Sequence, residues 1–184
     1  MHHTQVRRVG RCIVISDTKK KLREAIFFLK QLGLVVAQTD GPLEHAEFYF
    51  SAFFSAARSV TFVLEAERPD VYTEFSDKWR AGLTVAEQSL FSRFTFARNY
   101  ALKRVTPSVD LDRAKSKLDP YSGLPPELRF FFSEDEDHQM PGYRVLTGKL
   151  KPGEPTVELL PLCREYASLL ERLVGDFEAS HSDD

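Results

Sequence analysis

The stretch LEHAEFYFSAFFSAARSVTFVLEAE, residues 43–67, sets the fold. It is bounded by Asp40-Gly41-Pro42 on one side and Pro69 on the other, strong breakers that mark where a helix begins and stops. Between them Phe48, Tyr49, Phe50, Phe53, Phe54, Phe62 and Leu64 cover nearly the whole circumference of a helix, which predicts a central, buried element. The exception is Glu47, Ser51, Ser55, Arg58, Thr61 and Glu65, which recur every three or four residues and so fall along one face that must meet something polar. Residues 46–64 are long enough to span a bilayer, but Glu47, Arg58 and four hydroxyl side chains argue for burial inside a protein and against a membrane partner.

Other helices flank this one. Ser16, Asp17 and Thr18 offer N-cap oxygens to a helix through Leu22, Ile26 and Leu29, and Gly33 is a natural terminator. Residues 1–15 form an N-terminal arm whose last four, Cys12 included, suit either a short strand or an extended segment laid on the helices. Residues 70–82 read as a connector holding the only tryptophan, Trp79. Thr84 followed by Glu87 is a capping-box signature, opening a helix with Leu90, Phe94, Ala97, Ala101 and Val105 on one face. Residues 106–126, rich in Pro, Ser, Asp and Lys, read as a long connector. Strands at 128–132 and 143–150 around a polar turn at 133–142 predict a hairpin insertion over 127–150. Pro161 suits a first helical position, and Leu162, Tyr166, Leu169, Leu170, Leu173 and Phe177 give a last helix its apolar face, with a flexible tail over 179–184. The expected fold is mainly α: an up-and-down four-helix bundle with a small β-hairpin insertion before the last helix, all in one domain over 1–184.

Composition bounds the function. A chain of 184 residues sits where one hydrophobic core is the usual solution. Fifteen phenylalanines are many for that length and predict a thick core or a surface used for self-association, hence a homodimer. The net charge of −2 excludes a global cationic field, so any contact with RNA must be local. Cys12 and Cys163 have no paired spacing, which argues against a disulfide framework and a structural zinc site and for a cytoplasmic protein. The start of the chain has only a four-residue apolar run, too short for the core of a signal peptide. No phosphate loop, nucleophile elbow or zinc-protease pair occurs, and no cofactor is implied.

Several clusters offer reactive groups with an ordinary structural alternative. The acidic run 133–137 followed by His138 contains metal-ligand types, but contiguous acids at a turn are solvated charge and match no metal template, so no metal is assigned. His45 near a helix start needs no function. Cys163 lies where a helix dipole could lower a thiol pKa, yet its apolar neighbours favour an inert packed thiol. Arg58 has Ser51 and Ser55 one and two turns before it; it serves either as a phosphate contact or as the partner of a carboxylate such as Glu65.

The segment FSRFTFARNYALK, residues 91–103, carries Arg98-Asn99 followed by Lys103. Together with the aromatic helix FYFSAFFSAARSVTFVLE, a hairpin insertion and the closing CREYASLLERLV helix, it resembles the HEPN-like helical proteins over residues 43–178, in particular a bacterial group in which Lys often stands where the motif His would be. In that family two motif helices face each other across a dimer, and paired Arg and His cut RNA without a metal. The resemblance implies Arg98 as a phosphate clamp, Asn99 as its orienting neighbour and Lys103 at the His position, with Arg58, Tyr100 and Arg104 on the substrate side. A lysine titrating near ~10.4 is a poor general base at neutral pH, so Lys103 points to charge stabilisation more than proton transfer. The plain alternative for Arg98, Asn99, Lys103 and Arg104 is a solvated cationic helix end, favoured by the macrodipole. Two functions therefore stay open: RNA binding or degenerate ribonuclease activity by a dimer, and a non-catalytic helical self-association or protein-interaction module.

Overall fold

The computed structural model describes residues 15–38, 42–101, 109–114, 143–150 and 154–181, with the backbone alone described for 97–101, 109–114 and 143–144. Among the described residues, five helices and a small sheet follow in the order α1 (Ser16–Ala37), α2 (Leu43–Glu67), α3 (Tyr72–Ala81), α4 (Val85–Ala101), β1 (Val109–Ala114), β2 (Tyr143–Gly148), β3 (Val157–Glu158) and α5 (Leu159–His181). The protein is mainly helical, with the sheet before the last helix.

The expected limits of α2 hold, with Pro42 at its N-cap and Pro69 just beyond its end. Phe50, Phe53, Ala57, Val60 and Leu64 are fully buried, so α2 supplies the centre of the core. Its burial is one-sided, however: Phe48 is 60% and Phe62 42% exposed. The polar stripe does not share one environment either. Ser51, Ser55 and Glu65 face water, Arg58 is half-buried, and Thr61 is buried with its hydroxyl donating to the Arg58 carbonyl at 3.3 Å.

Helix α1 departs from expectation at both ends. It runs through Gly33 to Ala37, because a lone glycine weakens a helix without stopping one. At its start no side chain of the first turn caps the backbone. The cap comes from Glu67, at the far end of α2. Its carboxylate accepts from the Asp17 and Thr18 backbone N–H groups, both at 2.9 Å, and from the Thr18 hydroxyl at 2.6 Å. This contact joins the start of α1 to the end of α2 and makes the two an antiparallel pair. Lys19 pairs with Glu178 near the end of α5, so α5 also runs antiparallel to α1.

The expected connector 70–82 instead holds α3. Tyr72, Phe75 and Trp79 recur at helical spacing and dock the short helix: Phe75 meets Phe177 edge-on at 4.9 Å, and the Trp79 indole donates to Asp176 at 3.0 Å. The capping box at α4 forms as read, with Glu87 accepting from the Thr84 N–H and hydroxyl at 2.8 Å and donating its N–H back to the Thr84 hydroxyl at 3.3 Å. Leu90, Phe91 and Phe94 of α4 are buried, and so are Tyr166, Leu169, Leu170, Leu173 and Phe177 of α5. That helix extends to His181, past the expected start of the tail.

The sheet corrects the reading of the connector 106–126. Strand β2 lies where expected, but its partner is β1, inside the expected connector 106–126. The two are antiparallel, pairing Val109 with Gly148 through Ala114 with Tyr143. On its other edge β2 pairs with β3, Thr147 opposite Glu158, which feeds directly into α5. The expected strand at 128–132, the turn at 133–142 and the arm at 1–14 lie outside the described residues.

Burial raises the Glu67 carboxyl pKa, but the hydrogen bonds from the Thr18 hydroxyl and the Asp17 and Thr18 N–H groups outweigh it and hold the group below its ordinary value. A carboxyl lowered on folding adds stability above its unfolded pKa, and that stability is lost as pH falls through the folded pKa. Glu67→Gln should therefore cost about 1 kcal/mol in urea unfolding at pH 7, as loss of a helix cap does. The difference from wild type should close on acidification; a difference that stays constant down to pH 3 would contradict the cap.

Candidate functional site

The α3–α4 connection builds the site. The capping box fixes the first turn of α4, and one residue later the Gln88 side-chain amide donates to the carbonyls of Arg80 at 3.3 Å and Leu83 at 3.0 Å. The end of α3 is thereby pinned over α4. This sets the Arg80 guanidinium above the Phe91 ring, 5.3 Å from its centroid, a cation–π geometry.

From the other side comes Arg58, in the middle of α2. Its Nη1 donates to the Thr95 hydroxyl of α4 at 3.2 Å, and its guanidinium lies 4.6 Å over the Phe62 ring. Arg58 and Arg80 thus converge on one cavity of about 570 Å3, whose α4 wall is Gln88, Phe91, Ser92 and Thr95. Positions 88, 92 and 95 are one helical stripe, so three polar side chains line a single wall.

Two phenols feel these guanidinium groups. Burial pushes the Tyr72 hydroxyl above its ordinary pKa, opposed by the neighbouring charges of Arg80 and Arg58 and reinforced by Glu65. Tyr166, almost wholly buried, is pushed up further by desolvation, again opposed by Arg58 and Arg80. Both phenols are therefore neutral at physiological pH, and the charged groups of the cavity lining are the two guanidinium groups.

A second cavity of about 460 Å3 lies between α4 and α5. Its charges alternate and neutralise one another: Glu87 pairs with Arg172 at 2.7 Å, and Arg164 and Glu165 adjoin on α5. It has no net preference for an anion or a cation.

Among the residues singled out in the sequence, Arg58 lies in the first cavity with an α4 hydroxyl as its described hydrogen-bond acceptor. Arg98, Asn99 and Tyr100 fall in the last turn of α4 by their backbone, three to five residues after Thr95. Lys103 and Arg104 lie outside the described residues, as do the acidic run and His138. Cys163 is fully buried and its thiol is pushed well above the ordinary range by desolvation, which makes it a packed, unreactive group. His45 is exposed on the first turn of α2. Among the described residues no group of three or more His, Cys, Asp and Glu could hold a metal ion, and no helix is long and apolar enough to cross a membrane.

Arg80 is the cavity residue that sequence pattern does not single out, because residues 70–82 read as a connector. The signal was present: Tyr72, Phe75 and Trp79 have the i, i+3, i+7 spacing of a helix face.

Comparison with known proteins finds no match for this chain: no family model, no curated protein and no solved structure.

The Arg58–Thr95 bond can be tested through stability. Thr95→Val removes the acceptor from a half-buried charged donor and should lower the urea unfolding free energy by about 1 kcal/mol. An unchanged midpoint would mean that the bond contributes nothing to holding α2 against α4.

Proposed function

We propose that this chain is an RNA-binding helical protein of the HEPN-like type, a degenerate relative of the metal-independent ribonucleases with the four-helix bundle of that family. Arg98 and Asn99 contact phosphate, and Lys103 stabilises charge where active relatives carry a base. Arg58 joins them from α2, with Tyr100 and Arg104 completing the RNA side at a dimer interface. The observation that supports this reading is the Arg58–Thr95 bond, which brings a guanidinium from α2 against α4 one turn before Arg98. A protein with a net charge of −2 binds RNA only through such a local gathering of cations.

The test is retention of labelled single-stranded RNA by the purified protein at low salt, followed on the same gel for cleavage products. Wild type should retain RNA with little or no cleavage, and Arg98→Ala should weaken retention by about tenfold, as loss of a charge-assisted phosphate contact does. Absence of retention by wild type, or equal retention by Arg98→Ala and Lys103→Ala, would overturn the reading.

The second reading, a self-association module without nucleic acid, rests on the exposed apolar side chains of the α1–α2 pair. Phe27 and Leu34, two turns apart on α1, are 54% and 52% exposed, and Phe48 and Phe62 share one side of α2. Sedimentation at rising concentration should show a dimer, and Phe48→Ser with Phe62→Ser should shift it to monomer if these faces associate. A wild-type monomer throughout would remove both this reading and the dimeric part of the first.

A further inference from the structure

Arg80 shares the first cavity with Arg58. It is exposed, it forms no ion pair with a carboxylate among the described residues, and its placement over Phe91 is fixed through the Gln88 amide. Arg68, Arg93 and Arg172, by contrast, are each paired with an acidic side chain. A guanidinium held in position by a ring and a pinned backbone, facing a space of about 570 Å3, is arranged to receive an anion from solution.

The kind of anion follows from the walls. Arg58, anchored by Thr95 and the Phe62 face, adds a second guanidinium to the lining. The Thr95 hydroxyl accepts from Arg58, so its own hydrogen stays available to donate, and the Ser92 hydroxyl stands one turn away on the same wall. The volume suits a single small ligand group, within the range of about 300–1,000 Å3 common for such sites. A phosphate monoester carries about −1.5 to −2 at pH 7 and offers three acceptor oxygens. An internal phosphodiester carries about one charge and must continue in two directions. Two guanidinium groups and two hydroxyls match the monoester better.

We infer that the cavity between α2, α3 and α4 seats the terminal phosphate of an RNA strand, with Arg80 gripping the phosphate. This rests on the RNA-binding reading and names the part of the ligand that enters the cavity. The same chemistry occurs at a 5′ and at a 3′ phosphate end, and the two are separated by experiment.

Three versions of one single-stranded RNA decamer, ending in a 5′ phosphate, in a 3′ phosphate, or in hydroxyls at both ends, are titrated against the full chain by fluorescence anisotropy. One phosphorylated form should bind about tenfold tighter than the hydroxyl form, the size expected of one charge-assisted grip, and which one does so identifies the end recognised. Arg80→Ala should bring that form down to the affinity of the hydroxyl form, while Arg80→Lys should keep part of the preference. A thermal melt of Arg80→Ala close to wild type confirms that the loss is local. Equal binding of all three RNAs, or a preference that survives in Arg80→Ala, overturns the inference and leaves RNA binding standing. Binding of none of them removes the RNA-binding reading and this inference with it.

Discussion

The stacking of Phe94 is the constraint on which the rest of the molecule depends. Its ring lies 4.2 Å from Tyr166 of α5 and 5.4 Å from Phe54 of α2, nearly parallel to both, with Phe53 meeting it edge-on at 6.5 Å. One side chain thus holds three helices at a common depth, and removing it would leave a large void in a close-packed interior. Because consecutive residues on a helix point in different directions, fixing Phe94 also fixes its neighbours. Thr95 turns toward Arg58, and Phe91 turns toward Tyr166 and the underside of Arg80. The cavity is a by-product of this core: it opens where the aromatic layer ends and the short helix α3 does not fully cover α4.

Helix ends are tied by carboxylates acting at very different sequence distances. Glu87 caps its own helix across three residues and also reaches Arg172 on α5, so one side chain sets both the start of α4 and its position on α5. Glu67 caps a helix that begins fifty residues earlier. Each acts on exposed backbone N–H groups that would otherwise lack partners, and in both the bonds lower the carboxyl pKa. The difference is architectural. The local cap could form in an isolated peptide, whereas the distant one exists only once α1 and α2 have paired.

These two layers of organisation bear on function through charge. The chain is slightly acidic as a whole, and Asp70, Glu154 and Glu87 pair with Arg68, Arg93 and Arg172. Arg80 has no such partner among the described residues, and Arg58 joins it from α2. A local positive site on a globally negative protein favours a specific anionic ligand over diffuse attraction to any polyanion, since long-range attraction is weak and only short-range geometry is rewarded. Of the exposed phenylalanines of α1 and α2, Phe27 and Phe48 do not line this cavity, whereas Phe62 carries the Arg58 guanidinium on its face.

Much of the fold was written in local pattern. The limits of α2, the capping box of α4, the apolar face of α5 and the strand at 143–148 follow from breakers, caps and periodicity, which act over a few residues and need no knowledge of what lies opposite. Arg58 was also legible as a charge in an apolar helix that had to meet something polar. What the sequence could not reveal was long-range. That Glu67 caps α1, that residues 109–114 supply the partner of β2, and that Arg80 stands with Arg58 over one cavity all depend on which elements come together. Short helices and edge strands carry weak signals of their own, and their existence is settled by tertiary packing: Trp79 and Phe75 docked on α5 make α3 a helix, and through it make a site.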